Sequence, residues 1–147
     1  MKLEILIVNS GSSRVPRKFL QKWVTSCVRE IHKHVPAKHA RKLAGELTLV
    51  FLSKAQARRI NRDFRGRDYA TDVLSFESET GFGELILCAE VLKKQAKDHG
   101  LRYQQELGYM VLHGVLHLLG YDHERGPRQA RRMFQIQDTI FRTLTKT

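Results

Sequence analysis

The chain has 147 residues, 41% of them hydrophobic. That is enough for one domain burying about two thirds of its unfolded surface, which excludes a disordered polar chain. Lys and Arg number 26 against 15 Asp and Glu, a net charge of +11; such a field favours polyanions, nucleic acid first, but specifies no reaction.

No apolar run approaches the ~20 residues of a membrane span. The N-terminal MKLEILIVNS places Glu4 ahead of only four consecutive apolar residues, so residues 2–8 read as a first strand and not as a signal peptide. Pro16 suits the first turn of a helix, and Phe19, Leu20, Trp23, Val24, Cys27, Val28 and Ile31 recur at three-and-four spacing to about Ile31. His32, His34 and His39 follow, but their spacing is loose, Lys33 and Lys38 are interleaved and Pro36 breaks the helix; they read as a solvated helix end and loop. Glu46 to Leu52 alternates as a second strand. Ser53 with Gln56 three residues on forms a capping box, opening a short helix that ends near Asn61 to Phe64. Arg62, Arg65 and Arg67 cluster around Gly66, which sits in a predicted turn.

Thr71 to Phe76 and Glu84 to Cys88 read as the third and fourth strands, joined closely enough to make a hairpin. Cys27 and Cys88 thus fall in a helix and a strand, as buried reduced thiols that demand no oxidising compartment, and the cytoplasm is expected. Helical patterning resumes from Ala89 to His99, again from about Tyr103 to Leu119, and finally after Gly126-Pro127 with Met133, Ile136, Ile140, Phe141 and Leu144 inward. The expected fold is a single α+β domain over residues 1–147, an approximately four-stranded mixed sheet packed with about five helices.

The chemistry concentrates in residues 113–123, HGVLHLLGYDH. His113 and His117, four apart on a helix, place their Cβ atoms about 5–6 Å apart on one face. Gly120 then ends the helix in a left-handed conformation, so the chain can turn back and bring up His123. Apolar neighbours, Leu112, Leu116, Leu118 and Leu119, make a purely structural role for two imidazoles costly. Three protein ligands with a fourth position open is the arrangement of a catalytic zinc. The spacing repeats the metzincin protease pattern, so the helix is a metzincin-like zinc-site helix, but Gly114 stands where that pattern has its glutamate general base. The ligand spacing is kept and the peptidase base is missing, which counts against proteolysis.

HGVLHLLGYDH closely resembles the signature of the YbeY family, bacterial metal-dependent endoribonucleases of ribosomal RNA maturation and ribosome quality control. Arg65-Gly66, Asp68, Thr71 and Val73 to Phe76 match a second family block, and Gly83-Glu84-Leu85-Ile86 a third, so the resemblance spans residues 53 to 124. It implies His113, His117 and His123 as ligands of one zinc ion and Arg65 as the catalytic or phosphate-binding arginine. It further implies a zinc-dependent, single-strand-specific endoribonuclease that processes the 3′ end of small-subunit (16S) rRNA. The implied partners are ribosomal RNA and the small ribosomal subunit, with a ribosomal protein or GTPase beside them and no membrane. Asp122 reads as a group orienting an imidazole, and Asp72 and Glu84 as carboxylates that could reach the site; none is assigned as the base. Two other readings stay open: a metal-dependent hydrolase of another substrate class, peptidase-like, and a non-catalytic zinc-containing ribosome-assembly factor.

Overall fold

Alternating apolar residues draw four strands into one sheet. The computed structural model describes residues 2–146. Strands β1 (Leu3–Asn9), β2 (Gly45–Leu52), β3 (Val73–Glu77) and β4 (Gly83–Cys88) lie in the order β1-β2-β4-β3. β1 runs parallel to β2, with Leu3 opposite Gly45, and β2 parallel to β4, with Leu47 opposite Gly83. β3 is antiparallel to β4, with Val73 opposite Leu87, so the expected hairpin and mixed sheet are present. β3 begins two residues later than its apolar pattern suggested, because the Asp72 carboxylate accepts the Val73 backbone N–H at 2.8 Å and turns the chain there.

Six helices surround the sheet: α1 (Arg17–His34), α2 (Ala37–Ala40), α3 (Lys54–Arg65), α4 (Ala89–Asp98), α5 (Tyr103–Leu118) and α6 (Pro127–Thr145). One more is present than the sequence pattern suggested. α2 is a single turn opened by Pro36, too short to carry an apolar period. His39 therefore sits on a helix, half-buried, with its ring 5.6 Å from that of Tyr121. His32 and His34 are exposed at the end of α1, and His34 Nε2 lies 3.8 Å from Glu30 Oε1. The three imidazoles form no cluster. α3 starts as expected, with Ser53 accepting from Gln56 N and Gln56 Oε1 accepting from Ser53 N.

α5 is the central helix. Leu107, Leu112, Leu116 and Leu119 at its buried face are wholly inaccessible to solvent, and each such burial stabilises by roughly 1.5–3 kcal/mol. Three glycines let it approach its neighbours more closely than side chains permit. A Cβ at Gly114 would lie 2.6 Å from Leu85 Cδ2, one at Gly83 would lie 2.7 Å from Leu118 Cδ1, and one at Gly108 would lie 2.8 Å from Trp23 Cε2. At that last contact the indole N–H donates to the Gly108 carbonyl at 2.7 Å. Cys27 and Cys88 are both buried and unbridged. Among the described residues no helix is long and apolar enough to cross a membrane.

Candidate functional site

The backbone constraints on α5 dictate which of its residues face outward as a working surface. Gly114 lies against Leu85 of the sheet, so the adjoining turns bring His113 and His117 to the wall of a pocket of about 580 Å³. Gly120, at φ +107°, reverses the chain after α5 as expected. A 3-10 turn, His123–Arg125, follows, capped by Asp122, whose carboxylate accepts from Glu124 N at 2.9 Å. This turn delivers His123 to the same pocket, its ring centroid 5.0 Å from that of His113 and 6.4 Å from that of His117. The three histidines singled out from spacing are thus brought together. As they stand the rings are not drawn in around one point: among the described residues no group of three or more His, Cys, Asp or Glu side chains is placed to hold a metal ion.

His113 is buried, and the loss of solvation pushes its pKa down, partly offset by a hydrogen bond to Gln137. Gln137, fully buried on α6, was not visible from the sequence as a site residue. Its Nε2 donates to the Tyr109 carbonyl at 3.3 Å, and its Oε1 lies 2.9 Å from His113 Nδ1. Because the Tyr109 carbonyl only accepts, the Gln137 amide is oriented with its oxygen toward the ring, so Nδ1 carries the proton and Nε2 keeps its lone pair. His123 Nδ1 is buried with no hydrogen-bond partner among the described residues. His117 Nε2 lies 3.9 Å from Asp122 Oδ1, close enough for charge attraction but too far for the hydrogen bond by which a carboxylate orients a ring. A neutral imidazole with a set tautomer and a second imidazole with an orphaned buried nitrogen are the donor chemistry a borderline cation such as Zn²⁺ prefers, so the residues fit the group.

Arg65 ends α3, and Gly66 caps it at φ +68°, ψ +19°, the left-handed conformation the Arg65-Gly66 turn requires. Its Nη2 donates to Glu124 Oε1 at 3.1 Å, linking α3 to the turn that carries His123. Arg65 and Arg67 both line the histidine pocket, whereas Arg62 does not and pairs with Asp63 at 3.5 Å. The segment between them and β3 is tied down from α3. Arg58 grips Asp68 with two hydrogen bonds, 2.7 and 2.9 Å, and the buried Asn61 donates to the Tyr69 carbonyl at 2.9 Å. The Asp68 pKa is lowered, first by that hydrogen bond from Arg58.

Three carboxylates line the pocket: Asp72, Asp122 and Glu124. The Asp122 pKa is lowered, chiefly by the Glu124 backbone N–H and further by His117 and Arg125. Glu84 is elsewhere. It points from β4 into a separate cleft with Glu46 and Thr48, since alternation along a strand sends it to the opposite side from Leu85. The pocket also holds residues that apolar patterning could not distinguish from core, among them Phe64, Phe76, Met110 and Phe134.

The α+β fold brings two helix-borne histidines, a third beyond a glycine turn and an arginine from a facing helix end to one pocket, with Gly114 in place of the glutamate of the protease pattern. A family model described as Endoribonuclease YbeY matches residues 6–145. The chain is 57% identical over 148 residues to the endoribonuclease YbeY of Bdellovibrio bacteriovorus, covering 98% of this chain and 97% of that one. It is 35% identical over 136 residues to the endoribonuclease YbeY of Persephonella marina, covering 87% and 86%. The solution structure of a Thermotoga maritima protein superposes with a TM-score of 0.63 at 27% identity, covering 95% of this chain and 87% of that one. The chain belongs to the endoribonuclease YbeY family.

Proposed function

We propose that residues 1–147 act as one metal-dependent endoribonuclease domain that cuts single-stranded RNA, with ribosomal RNA as substrate. The observation that carries this reading is the meeting of His113, His117, His123 and Arg65 on one pocket in a chain of net charge +11. The three imidazoles would hold one divalent ion, zinc by ligand type, which supplies positive charge at the scissile phosphate. Arg65 supplies the second charge. Its planar guanidinium exchanges Glu124 for a phosphate oxygen and neutralises the negative charge that grows on phosphorus. Asp122 and Glu124 already face cations, Arg125 at 3.4 Å and Arg65 at 3.1 Å. Asp72 has no ion pair among the described residues, and one of its oxygens accepts from Val73 N and Thr71 Oγ1. Its other oxygen is the acceptor we assign to the proton of the attacking hydroxyl, whose oxygen bonds to phosphorus as the P–O bond to the leaving ribose oxygen breaks and that oxygen takes a proton from water.

The biological substrate consistent with this chemistry is a small-subunit rRNA precursor at its 3′ end, cut in the cytoplasm on the small ribosomal subunit beside a ribosomal protein or GTPase. Metal content and cleavage of precursor rRNA are measured together for wild type, His113→Ala and Arg65→Glu. The expected outcome is that His113→Ala loses both metal and cleavage, while Arg65→Glu keeps the metal and loses cleavage by about 10²-fold or more. Full nuclease activity in metal-free His113→Ala would refute the metal role. Retained subunit binding with no cleavage by the wild type would favour a non-catalytic assembly factor, and preference for casein over RNA would favour a peptidase-like hydrolase.

A further inference from the structure

Two aromatic rings at the histidine pocket are exposed where burial would be expected. Phe64, the residue before Arg65, is 71% exposed, and Phe134 on α6 is 37% exposed, yet both line the pocket. A phenyl ring left in water gains nothing from folding, and although a single exposed apolar residue is ordinary, two rings on the one pocket that holds the histidines and Arg65 offer it apolar surface for a ligand. Neither ring is loose. Phe64 meets Phe76 edge to face, centroids 5.4 Å apart at 73°. Phe134 lies nearly parallel to His113, 6.0 Å away at 27°, and 5.8 Å from His123. One ring thus belongs to the arginine side of the site and the other to the histidine side, each propped by a neighbouring ring while lining the pocket, and Phe134 also borders a shallow cleft along α6.

We propose that Phe64 and Phe134 are stacking platforms for the two nucleobases that flank the cleaved phosphodiester. This deepens, and rests on, the endoribonuclease reading above. A phosphate drawn to Arg65 and the histidines carries a nucleoside on either side, and two exposed rings are available to receive their bases. Every base has a π-face, so the platforms read no sequence. They do require the bases to be unstacked from a helix, which makes selection for unpaired RNA a property of these two residues.

The test is steady-state cleavage by the metal-loaded protein of a short unpaired RNA and of a series lacking one base at a time around the cut bond. Phe64→Ala raises KM by about 5- to 100-fold, the range of a lost base–aromatic stack, and lowers kcat by a smaller factor. Phe64→Trp restores KM. On the substrate that lacks the matching base, the wild type shows the same penalty and Phe64→Ala adds nothing to it. Phe134→Leu, which keeps apolar bulk beside the histidines, behaves likewise at a different abasic position, with its bound metal unchanged. A KM unaffected by either substitution overturns the proposal, as does a penalty that persists on every abasic substrate or tracks lost metal. If the wild type neither cleaves nor binds the intact RNA, the endoribonuclease reading falls first; cleavage that ignores both rings removes the stacking role alone.

Discussion

The seam between α5 and the sheet and the rim formed by the end of α3, residues 66–72 and the 3-10 turn are built on opposite principles. The seam is dry and close-packed: Gly114 against Leu85, Gly83 against Leu118 and Gly108 against Trp23 leave no room for an added methyl group. The rim is wet and held by polar ties, Arg58 to Asp68, Asn61 to Tyr69 and Arg65 to Glu124. His113 and His117 ride on the seam; His123 and Arg65 ride on the rim. Half of the site is therefore fixed by packing that tolerates almost no displacement, and the other half by charged contacts in reach of solvent. A ligand that competed with Glu124 for Arg65 would disturb the second half and leave the first in place.

Substitutions sharpen this contrast from the core outward. Leu85→Ala should cost ~2–5 kcal/mol of unfolding free energy, read by urea denaturation, because it opens a cavity in a fully buried layer. Gly114→Ala should cost ~1–3 kcal/mol by overpacking and less than that in the Leu85→Ala background, where its methyl group has room. Equal costs in both backgrounds would show that Leu85 does not set the spacing of the seam. Where the seam meets the site, Gln137→Leu leaves the His113 Nδ1–H buried without an acceptor. Metal affinity measured by chelator competition should fall about 10- to 100-fold; unchanged affinity would mean that this hydrogen bond does not set the imidazole's orientation. At the rim, Arg58→Ala should barely move the urea midpoint while quickening proteolytic nicking between residues 66 and 72. A large loss of global stability there would break the distinction between the two regions.

Much of this arrangement was legible in the sequence because it depends on local spacing. The spacing of four positions from His113 to His117, a glycine three beyond and Ser53 ahead of Gln56 each specify backbone geometry that tertiary structure did not overrule. The strand alternation at Leu47, Leu49 and Phe51 gave the core face for the same reason. What spacing could not convey was pairing across distant segments. Gln137 lies on α6 as one polar residue among many, and its partnership with His113 exists only once two helices cross. Glu84 seemed able to reach the histidines because sequence gives the alternation of a strand but not which face the site occupies. Gly114 meant more than a missing base, since its close approach to Leu85 appears only with both elements in place. Phe64 and Phe134 fitted an apolar period, and their exposure follows from where α3 and α6 end up.

The dependence of His113 on Gln137 also has a consequence for the order of folding. α6 lies after all four strands in the chain and supplies both Gln137 and Phe134. Until α6 packs against α5, His113 lacks the partner that sets its tautomer and the pocket lacks one of its walls. The four strands can pair without α6, but the histidine pocket is complete only once that helix has docked.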